Sequence, residues 1–198
     1  MCGIAGVANS MYGTSTDRFV RDALVAGMLR GMDSTGIMQV DRNGKIYYVK
    51  EAVEGLFFLG NKVARQFIDD TCKSAITVTH TRAATQGKVN DDNAHPFVAH
   101  KGNAEPLVGV HNGSLTPAWR TKPGAKDFEV DSQWALAHIA ARGPEAFKDI
   151  NGPFAFVWAE ADKKGKLFMA RNSQRPMHIL FTDCLLYTSP SPRDATLS

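Results

Sequence analysis

The chain is expected to fold as an α+β domain, with β-sheets layered together and helices outside them. Three observations predict this. Phe154, Phe156 and Trp158 alternate with Ala155, Val157 and Ala159, a strand apolar on both faces that must be covered on both sides. Two pairs of β-rich runs are joined by turn signals, Asp41-Arg42-Asn43-Gly44 and Lys163-Lys164-Gly165. Segments of helical period stand before, between and after the strands.

In chain order, Ile4 to Ala8 is a short apolar run suited to a buried strand. From Asp17 to Arg30 the apolar positions Val20, Leu24 and Met28 recur every four residues, predicting a packed helix closed by Gly31. Gly36 to Lys50 predicts a hairpin, and Asn61 to Cys72 a helix. Ser74 to Thr81 alternates Ile76, Val78 and His80 against Thr77, Thr79 and Thr81, a strand with two unlike faces. A polar loop from Ala83 to Asn93 follows, with strands resuming near Phe97 and at Leu107 to His111. Asp131 to Arg142 has helical period and is ended by Gly143-Pro144. Pro153 to Glu160 and Lys166 to Arg171 predict the second hairpin. No internal repeat is present.

The segment from Cys184 to Ser198 changes character. It runs into Ser189-Pro190-Ser191-Pro192-Arg193, carries no core periodicity, and resembles the in-frame translation of a sequencing adapter. The expected division is therefore a domain over residues 1–183 and a disordered or non-native tail over 184–198, with the natural protein continuing differently after about Asp183.

Composition excludes several classes. The 198 residues suit one domain with a sizeable core. With 23 basic against 20 acidic residues and no dense Lys/Arg block, neither nucleic acid nor an anionic membrane is an expected partner. No apolar stretch approaches the roughly 20 residues that span a bilayer, and no secretory signal opens the chain. Three cysteines, an odd count, argue for a reducing compartment, the cytoplasm.

The chemistry begins at Cys2. Once Met1 is removed, which a small second side chain permits, Cys2 carries a free α-amino group beside its own thiol. That amine, with a reference pKa of about 7.7–8.0, can take the thiol proton near neutral pH without a histidine. Other segments stand in register with this opening. Cys2-Gly3-Ile4 is followed by Arg30-Gly31-Met32-Asp33-Ser34-Thr35-Gly36, then by His80-Thr81-Arg82-Ala83-Ala84-Thr85-Gln86-Gly87. Asn93-Ala94-His95-Pro96-Phe97, Val110-His111-Asn112-Gly113, Asp131 at a helix start and Gly152-Pro153-Phe154-Ala155-Phe156 complete the series.

In these motifs the chain resembles glutamine amidotransferases of the N-terminal-nucleophile, or class II, kind, which include the glutamine domains of hexosamine and purine biosynthesis. The resemblance covers residues 2 to about 183. It implies a four-layered αββα sandwich and hydrolysis of L-glutamine to glutamate and ammonia through a γ-glutamyl thioester on Cys2. It implies that the Asn112 amide and the Gly113 N–H stabilise the oxyanion, that Arg82 and Thr85 read the substrate carboxylate, and that Asp131 reads its ammonium. His95 shapes the substrate site, and Arg30, Asp33 and His80 support the nucleophile. The ammonia would pass to a synthase domain or subunit. No cofactor is called for. The histidines His80, His95, His100 and His111 have no short metal-ligand spacing, so no metal is expected.

The residues by themselves leave plainer readings open: Arg82 as a surface salt-bridge arginine, Asp131 as a helix N-cap, and Arg30 with Asp33 as a helix-end pair. Two rival functions also stand, an N-terminal-nucleophile amidase acting on other amides, and a catalytically silent domain that binds glutamine or a partner. The chain departs from the hexosamine branch in carrying Ala83 where tryptophan is usual and Gln86 where histidine is usual. Both lie on the loop expected to close over glutamine.

Overall fold

The structure is a computed structural model describing residues 1–8, 16–100, 102 and 106–181, together with the backbone of 186–190. Among the described residues, two antiparallel sheets face one another. The larger has six strands in the order β3-β2-β4-β1-β10-β9 and the smaller four in the order β5-β6-β7-β8. Their ranges are β1 Gly3–Ala8, β2 Ser34–Asp41, β3 Ile46–Glu51, β4 Ser74–Arg82, β5 Phe97–Ala99, β6 Leu107–Gly113, β7 Phe154–Glu160, β8 Phe168–Arg171, β9 Met177–Phe181 and β10 Leu186–Pro190. The helices are α1 Asp17–Gly27, α2 Gly55–Gly60, α3 Lys62–Asp69 and α4 Asp131–Arg142.

Strand alternation divides the interior into three apolar layers. Ile4, Met38, Val40, Ile76 and Val78 of the large sheet meet Val108, Val110, Val157 and Ala159 of the small one. On the outer side of the large sheet, Ile37 packs with Val20 and Leu24 of α1, Phe58 of α2, and Ala64 and Ile68 of α3. Beyond the small sheet, Phe154, Phe156 and Trp158 of β7 pack against Trp134, Leu136 and Ile139 of α4. The result is the expected αββα sandwich, and β7 is apolar on both faces because both are covered. The two faces of β4 divide likewise: Ile76 and Val78 enter the inter-sheet core, while the Thr81 hydroxyl donates to Gly27 O of α1 at 2.7 Å.

Both hairpins form as expected, β2 with β3 and β7 with β8. Two elements differ from expectation. Helix α1 ends at Gly27 rather than Arg30, because Arg30 N–H donates to Gly27 O at 2.9 Å and tightens the last turn. The helix expected over Asn61 to Cys72 is α3, capped by the Asn61 side chain on Val63 N–H at 2.8 Å, followed by a 3₁₀ turn over Asp70–Lys73. Leu186–Pro190 is a strand between β1 and β9, pairing Val7 with Tyr187 and Ile179 with Thr188. Leu, Tyr and Thr are good strand formers, a signal masked in the sequence by the prolines that follow. Cys184 and 191–198 lie outside the described residues.

Candidate active site

The first three residues of the chain run into the middle of the large sheet, where Gly3 pairs with Thr81 and Ile4 with His80 of β4. Cys2 is buried at 7% exposure, and its thiol donates to Ala83 O at 3.7 Å. Met1 is half-exposed, and the Cys2 nitrogen is here a peptide nitrogen. Burial pushes the Cys2 thiol up; the chain-terminal ammonium and the Arg82 guanidinium pull the other way.

The Arg30–Asp33 segment braces this end of the sheet. Arg30 Nε donates to Cys2 O at 3.1 Å. Asp33 N–H donates to Arg82 O at 2.9 Å, and its Oδ2 accepts from Ala84 N–H at 2.6 Å. Gly31 lets the two segments touch: a Cβ there would sit 2.3 Å from Arg82 C. Arg30 and Asp33 thus fix Cys2 and the start of the following loop; they are not a helix-end pair with each other.

That loop turns back on Arg82, which is 4% exposed and no surface arginine. Its Nη1 donates to Lys88 O at 3.1 Å and its Nη2 to Gln86 O at 2.5 Å. Burial lowers its pKa below the ordinary value for a guanidinium, and the charges of Cys2, Asp33 and Asp131 oppose that shift. Lys50 Nζ anchors the far end of the loop on Asp92 O and Ala94 O at 3.1 and 2.9 Å. Thr85, on the same loop, is exposed.

From the small sheet come Asn112 and Gly113, at the end of β6. Asn112 is 1% exposed and, among the described residues, neither its Nδ2 nor its Oδ1 has a hydrogen-bond partner. A buried primary amide left this way is a donor awaiting an acceptor. At Gly113 a Cβ would lie 2.0 Å from Pro153 O, so only glycine fits. Asp131 opens α4 in its first turn; Val130 is the N-cap, so Asp131 is not the cap itself. Its Oδ2 accepts from Leu115 N–H at 2.7 Å, and its Oδ1 from Ser132 N–H at 2.8 Å and Ser132 Oγ at 3.3 Å. Burial raises its pKa against those donors.

Three buried histidines lie beneath. His80 Nε2 meets His111 O at 3.0 Å, His111 Nδ1 meets Ser132 Oγ at 2.8 Å, and His80 and His95 lie ring to ring at 3.9 Å. Burial lowers the pKa of His80 and His111 to about 3 and that of His95 well below its usual value, so all three are neutral. Among the described residues, no group of three His, Cys, Asp or Glu side chains is arranged to hold a metal.

A cavity of about 10 Å³, room for one water, is lined by Cys2, Arg82, Ala83, Thr85, Gln86, His95, His111, Gly113 and Val130–Ser132. Six of the expected residues therefore converge: Cys2, Arg82, Thr85, His95, Gly113 and Asp131. Asn112 adjoins through Gly113. Arg30, Asp33 and His80 stand outside, touching the backbone that holds the others. Sequence reasoning missed Ser132, whose hydroxyl links Asp131 to His111, although it directly follows Asp131. It also missed Trp119, whose Nε1 donates to Gln86 Oε1 at 3.2 Å.

The two facing sheets with helices outside form a sandwich of the N-terminal-nucleophile hydrolase type, the fold of amidotransferase domains. The profile of the class-II glutamine amidotransferases matches residues 48–169, and the chain belongs to that family. It is 39% identical to a glutamine–fructose-6-phosphate aminotransferase (isomerizing) of Corynebacterium glutamicum, over 87% of this chain and 30% of that protein. The chain thus spans under a third of the length of that relative. Among solved structures it resembles the glutamine phosphoribosylpyrophosphate amidotransferase of B. subtilis, with TM-score 0.73, 19% identity, and coverage of 95% of this chain and 41% of that one. An allosteric regulatory enzyme of purine biosynthesis matches with TM-score 0.74, 20% identity and the same coverage. At such identities the likeness speaks for the fold. Among the described residues no helix is long and apolar enough to cross a membrane.

Proposed function

We propose that this chain hydrolyses L-glutamine to L-glutamate and ammonia, using Cys2 as nucleophile after removal of Met1. The observation that carries the reading is the convergence, in one buried cavity, of a thiol, a guanidinium, a carboxylate and a close-packed glycine from four separate segments. Arg82 and Asp131 suit the two charged ends of a free amino acid, which favours glutamine over acyl or peptide amides.

In this mechanism the Cys2 amine takes the thiol proton, and the thiolate attacks the glutamine side-chain carbonyl carbon. The oxyanion that forms accepts from the Asn112 amide and Gly113 N–H. Collapse breaks the C–N bond, the amine's proton leaves with the ammonia, and a γ-glutamyl thioester remains. Water, deprotonated by the same amine, then releases glutamate and restores the thiol. The neutral histidines beneath the site contribute packing and no charge. The ammonia goes to an acceptor domain or subunit in the cytoplasm, in keeping with relatives much longer than this chain.

The test is ammonia release from glutamine against a panel of other amides, with labelling by a glutamine-mimicking diazoketone. The expected result is selective release from glutamine and one adduct, on Cys2. Turnover of the panel without preference for glutamine, or labelling with no turnover, overturns the reading. Asn112→Ala should lower kcat by about 10²–10³ with little change in KM, the usual consequence of losing one oxyanion donor. Arg82→Ala should raise KM roughly 10- to 100-fold through loss of charge-assisted bonds to the carboxylate. Ala83→Trp should lower KM by adding apolar area to the closed loop. Steady-state kinetics check all three, and unchanged KM in both loop variants would remove the loop from substrate binding.

A further inference from the structure

Gln86 touches both halves of the proposed amino-acid subsite. Its backbone oxygen accepts from Arg82 Nη2, and its side-chain Nε2 donates to Asp131 Oδ2 at 3.2 Å. The same nitrogen lies 3.5 Å from Ser114 Oγ and from Leu115 O, and its Oε1 accepts from Trp119 Nε1 at 3.2 Å. The residue's own primary amide therefore sits where the ammonium of a bound amino acid would have to go.

The carboxylate of Asp131 has about four lone-pair sites. Three are taken by donors that cannot easily leave: Leu115 N–H, Ser132 N–H and the Ser132 hydroxyl, which is itself held against His111. The fourth is held by Gln86, through a long bond from a side chain on a loop. The remaining cavity of about 10 Å³ admits one water and no amino acid.

We infer that Gln86 is an internal occupant of the ammonium subsite, which glutamine must displace, and that it thereby sets the apparent affinity for substrate. Its withdrawal frees the fourth position on Asp131 and, if the backbone moves with it, one donor of Arg82. One residue thus opens the ammonium and carboxylate contacts together. The adjoining Gly87, at φ +72°, adopts a conformation that other residues reach only with strain and is suited to act as the pivot. A protein whose competent state is only partly populated binds its ligand more weakly by that fraction.

This inference rests on the glutaminase reading. Its test compares the Met1-processed full chain with Gln86→Ala, which keeps the backbone carbonyl, and Gln86→Lys, which places an ammonium opposite Asp131. Ammonia release is measured against glutamine concentration, and indole emission during titration with L-glutamate. The expected result is a KM about 5- to 10-fold lower in Gln86→Ala and several-fold higher in Gln86→Lys, with KM moving more than kcat. Glutamate should also change the indole emission of the wild-type chain as the Trp119–Gln86 bond breaks, and that change should be absent in Gln86→Ala. Ammonia release by all three proteins with KM unchanged or raised in Gln86→Ala overturns the inference alone, as Gln86 would then be a structural pin. Should Gln86→Ala fail to fold, a wild-type emission unaltered by saturating glutamate overturns it equally. No ammonia release and no glutamate binding by any of the proteins overturns the glutaminase reading and this inference with it.

Discussion

Cys2→Ala should reduce ammonia release from glutamine at least about 10³-fold, with the fold intact. Alanine fills the buried position of Cys2 without a clash, and the strand pairings of β1 with β4 are backbone bonds that the substitution leaves alone. The same loss is expected when Met1 is retained on an otherwise unchanged chain, because the Cys2 nitrogen is then an amide and cannot accept the thiol proton. Burial pushes the thiol up, so without that base little thiolate forms. Cys72→Ala should leave turnover unaltered. Mass spectrometry of active protein decides the matter: full activity with Met1 wholly retained would exclude the terminal amine as base.

Acid should weaken this protein well before its carboxylates titrate. His80 and His111 are 1% exposed, with pKa values lowered to about 3, chiefly by burial. In the unfolded chain each ring takes up a proton near pH 6.5, whereas in the folded chain it stays neutral to about 3. Stability is therefore full above pH 6.5 and falls as the pH drops below it, by up to about 1.4 kcal/mol per pH unit for each ring. From pH 7 to 5.5 the two together cost about 2.5 kcal/mol, or roughly 5–10 °C in Tm for a domain of this size. His95 adds in the same direction. Asp131 opposes it, since burial favours its protonated form in the folded state. Calorimetry at the two pH values checks the sum, and the ring proton shifts of His80 and His111 should stay constant between them. A Tm independent of pH over this range would contradict the assignment.

Much of the fold was legible because its signals are local. The alternation in β4 and β7 and the two turn sequences each name a strand and its faces without reference to the rest of the chain. The helix over Asp131–Arg142 was legible to the residue, since Gly143 with φ +60° ends it. What escaped was set by tertiary contact. Helix α1 stops early because its last carbonyls are taken by the turn and by Thr81. In the site, the motif residues that converge were visible as residue types at spaced positions. The partners that tune them were not: nothing in the sequence ties Gln86 to Asp131, 45 residues away, or Trp119 to Gln86. Such links depend on where the loop lies, and a polar loop sequence is compatible with many paths.

The place of β1 in the large sheet also bears on the order of events during synthesis. Its two neighbours, β4 and β10, come from Ser74 onward and from Leu186 onward. At ribosomal speeds of about 5–20 residues per second, several seconds pass before even the first of them has been made. Until then the chain's first residues have no strand to pair with, and Met1 and Cys2 stay accessible to a processing peptidase. Afterwards Cys2 is buried at the head of a paired strand. On the proposed reading, removal of Met1 is easiest in that interval, since the folded sheet leaves Met1 half-exposed and Cys2 buried.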